Sequence, residues 1–222
     1  YLQLLRSELV PALGCTEPIA VALAAATARR VLGKDPERAE IICSGNVIKN
    51  VKGVTVPRTG GMKGVNAAAV AGFVAGNPDA GLQVLESVEE KHFPRIRELL
   101  ASGTCKVKLA QGVENLFIDA ILEAGGDEVE VRISGSHSNI TLIAINGRVL
   151  EGSRELPEET TADALPAAEQ GKRASVRDIL EFAETARLDD VRQIIGGQIR
   201  MNTAICDEGL RRQFGASVGK RL

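Results

Sequence analysis

An apolar run at residues 19–28 constrains the fold most, and it directly follows the segment Pro-Ala-Leu-Gly-Cys-Thr-Glu-Pro at 11–18. Alanine and larger apolar residues fill the run almost completely, which predicts a helix that is buried on most of its sides. Arg29 and Arg30 follow at once, and the run is too short to cross a bilayer. The sequence therefore predicts a core helix and no membrane span.

One cysteine, Cys15, lies at the predicted N-terminus of this helix. Backbone N–H groups and the helix dipole favour a thiolate there, so we expect a lowered pKa, a better nucleophile and a better metal ligand. Thr16 is expected to cap the helix through its hydroxyl, and Pro18 is tolerated in the first turn. The alternative interpretation is an inert buried cysteine.

Size and charge exclude some classes of protein. A length of 222 residues suggests one large domain or two small ones. Aromatic residues make up 3% of the chain and the formal net charge is −2, which disfavours nucleic-acid binding. The first residues are typical of an amphipathic helix and not of a signal peptide, so we expect a cytoplasmic protein.

The four cysteines are widely scattered and form no Cys-x-x-Cys motif. Free thiols in a reducing compartment are therefore expected. Cys43 and Cys105 fall in apolar, strand-like runs, and Cys206 falls in a helical segment. We interpret these three as packing residues.

The order of the predicted elements indicates an α+β fold. Helical patterns dominate up to about residue 100, and alternating strand patterns follow from 106 to 145. Asn146-Gly147 is a strong hairpin signal. We expect helices packed on one face of a mostly antiparallel sheet, with C-terminal helices after an exposed linker. The predicted subdivision of the 222 residues is an α+β core at 1–153, a linker at 154–173 and a helical segment at 174–222.

Three segments combine small residues with reactive ones, a combination that is typical of ligand-binding loops. The first is Gly14-Cys15-Thr16-Glu17, and the second runs from Asn46 to Gly61. The third is Gly135-Ser136-His137-Ser138-Asn139, a polar turn between two apolar strands.

This set of motifs, in this order, resembles the cysteine desulfidase family, whose members are also described as serine-dehydratase-like proteins. The resemblance spans essentially the whole chain, and family members are about twice as long. It implies that residues 1–222 are the N-terminal half of a longer protein. The chain departs from the family pattern at Arg58, where a Val-Pro-Gly-Thr-Gly motif is expected. The motifs that carry the resemblance are Pro11 to Pro18, Lys49-Asn50, Val54 to Pro57, Gly135 to Ile140 and Glu208-Gly209-Leu210.

The resemblance implies a [4Fe–4S] cluster and β-elimination from L-cysteine, which gives sulfide, ammonia and pyruvate. Three cysteines hold such a cluster and leave one iron open to act as a Lewis acid. By resemblance Cys15 is one of the three, and the other two belong to the C-terminal half. We therefore expect no cluster bound to this chain alone, and activity only in the full-length protein.

Elimination also needs a base and donors for the substrate. Lys49 is a candidate base if it is buried, and a solvated loop lysine is the alternative. His137 is a candidate for binding the substrate carboxylate or moving a proton, and a structural histidine is the alternative. The candidate substrate-binding residues are Thr16, Glu17, Asn46, Asn50, Ser136, Ser138 and Asn139.

Other functions stay open at this point. L-Serine instead of L-cysteine would make the protein an L-serine dehydratase-like deaminase. A second possibility is an amino-acid-binding module without catalysis. A third is an assembly domain whose Ala/Gly-rich helices pair subunits into a homo-oligomer.

Overall fold

The structure is a computed structural model that describes residues 1–155, 175–213 and 217. A mostly antiparallel sheet of six strands organises the larger part, in the spatial order β2-β1-β3-β4-β5-β6. β1 and β2 are parallel, and the other neighbours are antiparallel. The predicted α+β class is confirmed. The strands are β1 Arg38–Cys43, β2 Cys105–Leu109, β3 Phe117–Ala124, β4 Asp127–Ser134, β5 Ile140–Ile145 and β6 Arg148–Gly152.

The hairpin between β5 and β6 forms at Asn146-Gly147, as predicted. Both turn residues have positive φ, 49° at Asn146 and 78° at Gly147, as the commonest two-residue hairpin turn requires. The side chain of Asn146 accepts a hydrogen bond from Glu128 N and donates one to Asp127. These bonds tie the turn to the start of β4.

Four helices accompany this sheet, and the predicted core helix is central among them. α2 packs against β3, β4 and α4, and its residues from Pro18 to Ala28 are all buried. Burial on nearly all sides explains why the run is apolar throughout, without a polar stripe. The helices are α2 Thr16–Leu32, α3 Gly45–Val51, α4 Val65–Ala75 and α5 Phe93–Ala101.

The contact between α2 and α4 depends on a glycine. A Cβ placed on Gly72 would lie 2.3 Å from the carbonyl oxygen of Ala22 and 2.8 Å from its Cα. The two helix backbones therefore touch at this point, which only a residue without a side chain permits. The Ala/Gly-rich helices α2 and α4 are thus packed against each other inside the chain's own core.

Local interactions explain three further points of the fold. Ser44 caps α3 by accepting a hydrogen bond from Val47 N. Within residues 54–57, Thr55 forms a single bridge with Lys63. Pro94 lies in the first turn of α5, where proline is tolerated.

Buried charges lie on the side of the sheet opposite α2. Arg132 donates to Asp119 at 2.9 Å and to Glu130 at 3.0 Å, and its guanidinium lies over the Phe117 ring. Arg154 donates to Glu130 at 2.6 Å and accepts from Arg132 through its carbonyl. Burial raises the pKa of Asp119 to about 6, although Arg132 beside it acts in the opposite direction. Two arginines thus balance two carboxylates.

The chain divides into two compact units, one of residues 12–164 and one of residues 1–11 with 165–222. The second unit contains α1 Leu2–Glu8, α6 Val176–Thr185 and α7 Leu188–Arg211. α1 thus groups with the C-terminal helices, whereas the predicted subdivision placed it with residues 1–153. Apart from Arg154 and Glu155, the predicted linker at 154–173 lies outside the described residues.

The cysteines follow the predictions in two of three cases. Cys43 and Cys105 are buried in adjacent strands, and burial raises the pKa of each thiol to about 12. Cys206 is exposed on α7, so its predicted packing role is wrong.

Among the described residues, no helix combines the length and the apolar character that a membrane span needs.

We expect Gly72→Ala to destabilise the protein by about 3 kcal/mol, because the new methyl group forces α2 and α4 apart. Urea unfolding measures this change. Gly53→Ala is the matched control, since a Cβ on Gly53 meets nothing within 4 Å. An equal effect of the two substitutions would show that the helix contact is not specific.

Candidate functional site

Segments from distant parts of the chain converge at one end of the sheet, where β1, β2 and β4 end and β3 begins. Backbone hydrogen bonds fix this end: Ser44 N donates to Phe117 O, and Gly135 N donates to Leu116 O. α2 begins here as well, because it runs antiparallel to β1, which follows it in the chain. The segments 14–17 and 135–139, both predicted to bind a ligand, are therefore in contact with each other.

Cys15 is the residue that precedes the first turn of α2, with extended backbone angles. Its thiol donates to Glu17 Oε2 at 3.2 Å. Partial burial raises the pKa of Cys15, and the hydrogen bond to Glu17 raises it further. The predicted lowering of the Cys15 pKa is therefore corrected: partial burial and the hydrogen bond to the Glu17 carboxylate together outweigh the backbone N–H of Glu17, which favours the thiolate.

Glu17 accepts hydrogen bonds from three other residues of the site. Its Oε1 accepts from Asn50 Nδ2 at 2.9 Å, and its Oε2 accepts from Cys15 and from Thr16 Oγ1. Burial opposes ionisation of Glu17, but hydrogen bonds from Cys15, from its own backbone N–H and from Asn50 outweigh burial and lower its pKa. Glu17 is thus an ionised carboxylate that accepts hydrogen bonds on both of its oxygens.

Thr16 connects the helix to the 135–139 turn. Its Oγ1 lies 3.2 Å from His137 Nε2, a hydrogen bond between residues 121 positions apart. Thr16 is the first residue of α2 and not its cap, so the predicted capping role is wrong. Its hydroxyl instead holds the half-buried imidazole at the helix N-terminus.

The other predicted site residues make no hydrogen bond to this group of side chains. Lys49 is exposed, so the burial on which its role as a base depends is absent. Asn46 is half-buried on α3, and Ser136 and Ser138 are exposed in the turn. Asn139 donates its amide to Ser134 O at 3.0 Å and so stabilises the turn itself. The structure therefore groups Cys15, Thr16, Glu17, Asn50 and His137 and leaves the rest at the margin.

The loop at 56–61 lies beside this group. A Cβ on Gly14 would be 3.2 Å from Pro57 Cγ, so loop and turn are in close contact. Arg58 has a φ of 61°, a conformation that glycine adopts without strain, and its guanidinium donates to Glu86 O. The positive φ of Arg58 therefore explains why glycine is expected at this position of the Val-Pro-Gly-Thr-Gly motif. The side chain of Arg58 extends to the segment at 78–87.

The described residues do not supply an iron–sulfur site by themselves. Among them, no three His, Cys, Asp or Glu side chains converge on a point where a metal could bind. Cys43 and Cys105 are buried in the sheet, whereas Cys15 is only half-buried. A cluster would need thiolates from outside the described residues.

The sequence interpretation missed two residues near the site. Ser44 caps α3 and also donates to Asn115 O at 2.6 Å. Glu114 lies in the loop between β2 and β3, next to the turn that carries His137. Its position in a Gly-Val-Glu-Asn segment after a strand is a loop signal, but the sequence alone does not show which neighbours it meets.

Fold and site together define an α+β unit with a polar, cysteine-containing site at a helix N-terminus. The chain is similar to UPF0597 proteins of Finegoldia magna (45% identity), Treponema denticola (40%) and Lachnoclostridium phytofermentans (40%). Each match covers 100% of this chain, and the chain spans about half the length of these curated relatives, 51–52%. No family model and no solved structure matches the chain.

These relatives correct the resemblance drawn from the sequence motifs. They carry the name UPF0597 protein, and none of the three is named a cysteine desulfidase or a serine dehydratase. The assignment to the cysteine desulfidase and serine-dehydratase-like family is therefore wrong. What the comparison supports is similarity to proteins about twice as long as this chain.

Glu17→Gln should make Cys15 ionise at lower pH, because the substitution removes the negative charge that keeps the proton on sulfur. The measurement is the rate of iodoacetamide alkylation against pH, in a Cys206→Ser background that removes the exposed thiol. Glu98→Gln, on the exposed surface of α5, is the control. A profile that Glu17→Gln leaves unchanged would contradict the role of this carboxylate.

Arg58→Gly should be about 1 kcal/mol more stable than Arg58→Ala. Both substitutions remove the guanidinium, so their difference isolates the left-handed backbone at this position. Thermal or urea unfolding of the two variants gives the comparison. Equal stability would mean that the loop relaxes to an unstrained conformation.

Proposed function

We propose that this chain is the amino-acid-binding half of a lyase that acts by β-elimination on L-cysteine and gives sulfide, ammonia and pyruvate. The contact between Thr16 and His137 supports this most, because it places an imidazole at the N-terminus of α2. The dipole of α2 favours a carboxylate at that position. A substrate carboxylate there would bring Cα within reach of the imidazole.

In this reaction His137 is the proposed base. The imidazole takes the Cα proton, the electrons of the C–H bond form the Cα–Cβ double bond, and the Cβ–S bond breaks to release sulfide. The resulting aminoacrylate converts to an imine that water hydrolyses to pyruvate and ammonia. Thr16 holds the imidazole in place through the 3.2 Å contact. L-Serine would react in the same way with hydroxide as the leaving group, which is the L-serine dehydratase-like alternative.

The proposal keeps Cys15 as one ligand of a [4Fe–4S] cluster in the full-length protein. The further ligands, and with them the C-terminal half as partner, lie outside this chain. We also propose a cytoplasmic location, and a homo-oligomer for the complete protein. Mass measurement in solution tests the oligomeric state.

An amino-acid-binding module without catalysis is the second candidate. It is favoured by the hydrogen bond that the Cys15 thiol donates to Glu17, because this bond stabilises the protonated sulfur. In that case the site would bind L-cysteine or L-serine, and Cys15 would stay a protonated thiol.

The test uses the complete protein, reconstituted with iron and sulfide under anaerobic conditions and assayed for sulfide and pyruvate. We expect Cys15→Ala to abolish cluster absorbance and turnover, and His137→Gln to reduce kcat at least about 100-fold with the absorbance intact. His92→Gln is the control for the loss of a histidine elsewhere. If Cys15→Ala keeps both signals, the lyase proposal fails, and binding without turnover in the wild type favours the second candidate.

A further inference from the structure

The C-terminal half of α7, residues 199–210, carries large apolar side chains on its surface. None of the residues of α7, all of which the structure describes, is buried. The apolar side chains of this half therefore have little to pack against within the chain itself. Four of them are about half exposed or more: Ile199 59%, Met201 51%, Ile205 70% and Leu210 49%.

These apolar side chains share one side of the helix. Met201 and Ile205 lie on one line along the helix axis, and Ile199 and Cys206 lie on a neighbouring line. The opposite side has a polar line, which consists of Gln193, Arg200 and Asp207. A helix with this pattern normally packs its apolar side against other parts of a protein. A continuous exposed apolar face of this kind indicates an interaction surface.

A shallow, largely apolar depression lies on this face and is lined by Ala204, Ile205, Glu208 and Gly209. A Cβ on Gly209 would meet nothing within 4 Å, so packing within the chain does not require a glycine there. Glycine inside a helix is destabilising relative to alanine. Its presence at this position is explained if a side chain from another part of the protein enters the depression.

The curated relatives contain enough additional polypeptide to cover this face. The matches cover 100% of this chain but only 51–52% of each relative, so a segment of similar length lies outside the matched part. Domains of one polypeptide commonly share an interface. Their covalent connection keeps them at a high effective concentration, which favours contact between them over contact with a separate molecule.

We propose that the apolar face of α7, defined by Ile199, Met201, Ile205 and Leu210, packs against the half of the full-length protein that lies outside residues 1–222. The complementary surface is apolar, because burial of these four side chains against it removes them from water. A large apolar side chain of that surface fits the depression beside Gly209. This inference goes beyond the proposed function, since it does not depend on the reaction that the site catalyses.

Cys206 reports whether this face is covered, because its thiol is exposed and lies on the same line of the helix as Ile199. The experiment is iodoacetamide alkylation of Cys206 in the complete protein and in the 222-residue chain, followed by mass spectrometry of the peptide that contains this residue. We expect the reaction to be at least about tenfold slower in the complete protein, because a covered thiol is shielded from the reagent. Arg200→Cys, at an exposed position on the polar line, is the matched control, and its thiol should react equally fast in both proteins.

An equally fast reaction of Cys206 in the two proteins would overturn this inference. A slow reaction in both would show that other residues of this chain cover the face, and protection that is lost on dilution would identify a second copy as the partner; either result also overturns it. In the complete protein, Ile205→Asp should make Cys206 react faster, whereas Gln193→Asp on the polar line should not. An unchanged rate in Ile205→Asp would contradict the contact. The assay for sulfide and pyruvate tests the proposed function separately, so the two can fail independently.

Discussion

The backbone contact between Gly72 and Ala22 sets the position of α2, and the candidate site depends on that position. α2 is enclosed between the sheet and α4, so it cannot rotate or slide without breaking contacts on every side. Its N-terminus is therefore fixed at the end of the sheet where β1 and β4 end. A half-exposed helix with fewer packing contacts could shift along or around its axis. It would then not hold Thr16 in a fixed position next to His137, 121 residues away in the chain.

At that N-terminus opposing effects act on the ionisation of Cys15. The helix dipole amounts to a partial positive charge spread over the first turn, which favours the thiolate. Partial burial of the sulfur and the hydrogen bond that it donates to Glu17 at 3.2 Å both favour the protonated thiol, and together they raise its pKa. The same hydrogen bond lowers the pKa of Glu17. A group that neutralises Glu17 would therefore remove one of the two effects that keep Cys15 protonated.

Features with a strong local cause could be predicted from the sequence. The buried helix, the hairpin at Asn146-Gly147 and the α+β class follow from apolar pattern and turn chemistry. The start of α3 has a weaker local signal, because Gly45 and Asn46 also favour a turn and the hydrogen bond from Val47 N to Ser44 is needed to identify the helix cap. The contacts of Glu17 and the position of Glu114 depend on strand register between distant segments, which one sequence does not reveal.

The carboxylates of this chain differ in how far the chain itself supplies their hydrogen-bond donors. Asp119 also has one oxygen without a hydrogen bond, but its other oxygen pairs with Arg132, within a network that balances its own charge. Glu17 is satisfied by three donors from its own site. Glu114 has neither an arginine nor a set of donors among the described residues. An enclosed carboxylate oxygen of this kind costs free energy in the folded state unless a donor from outside the described residues meets it.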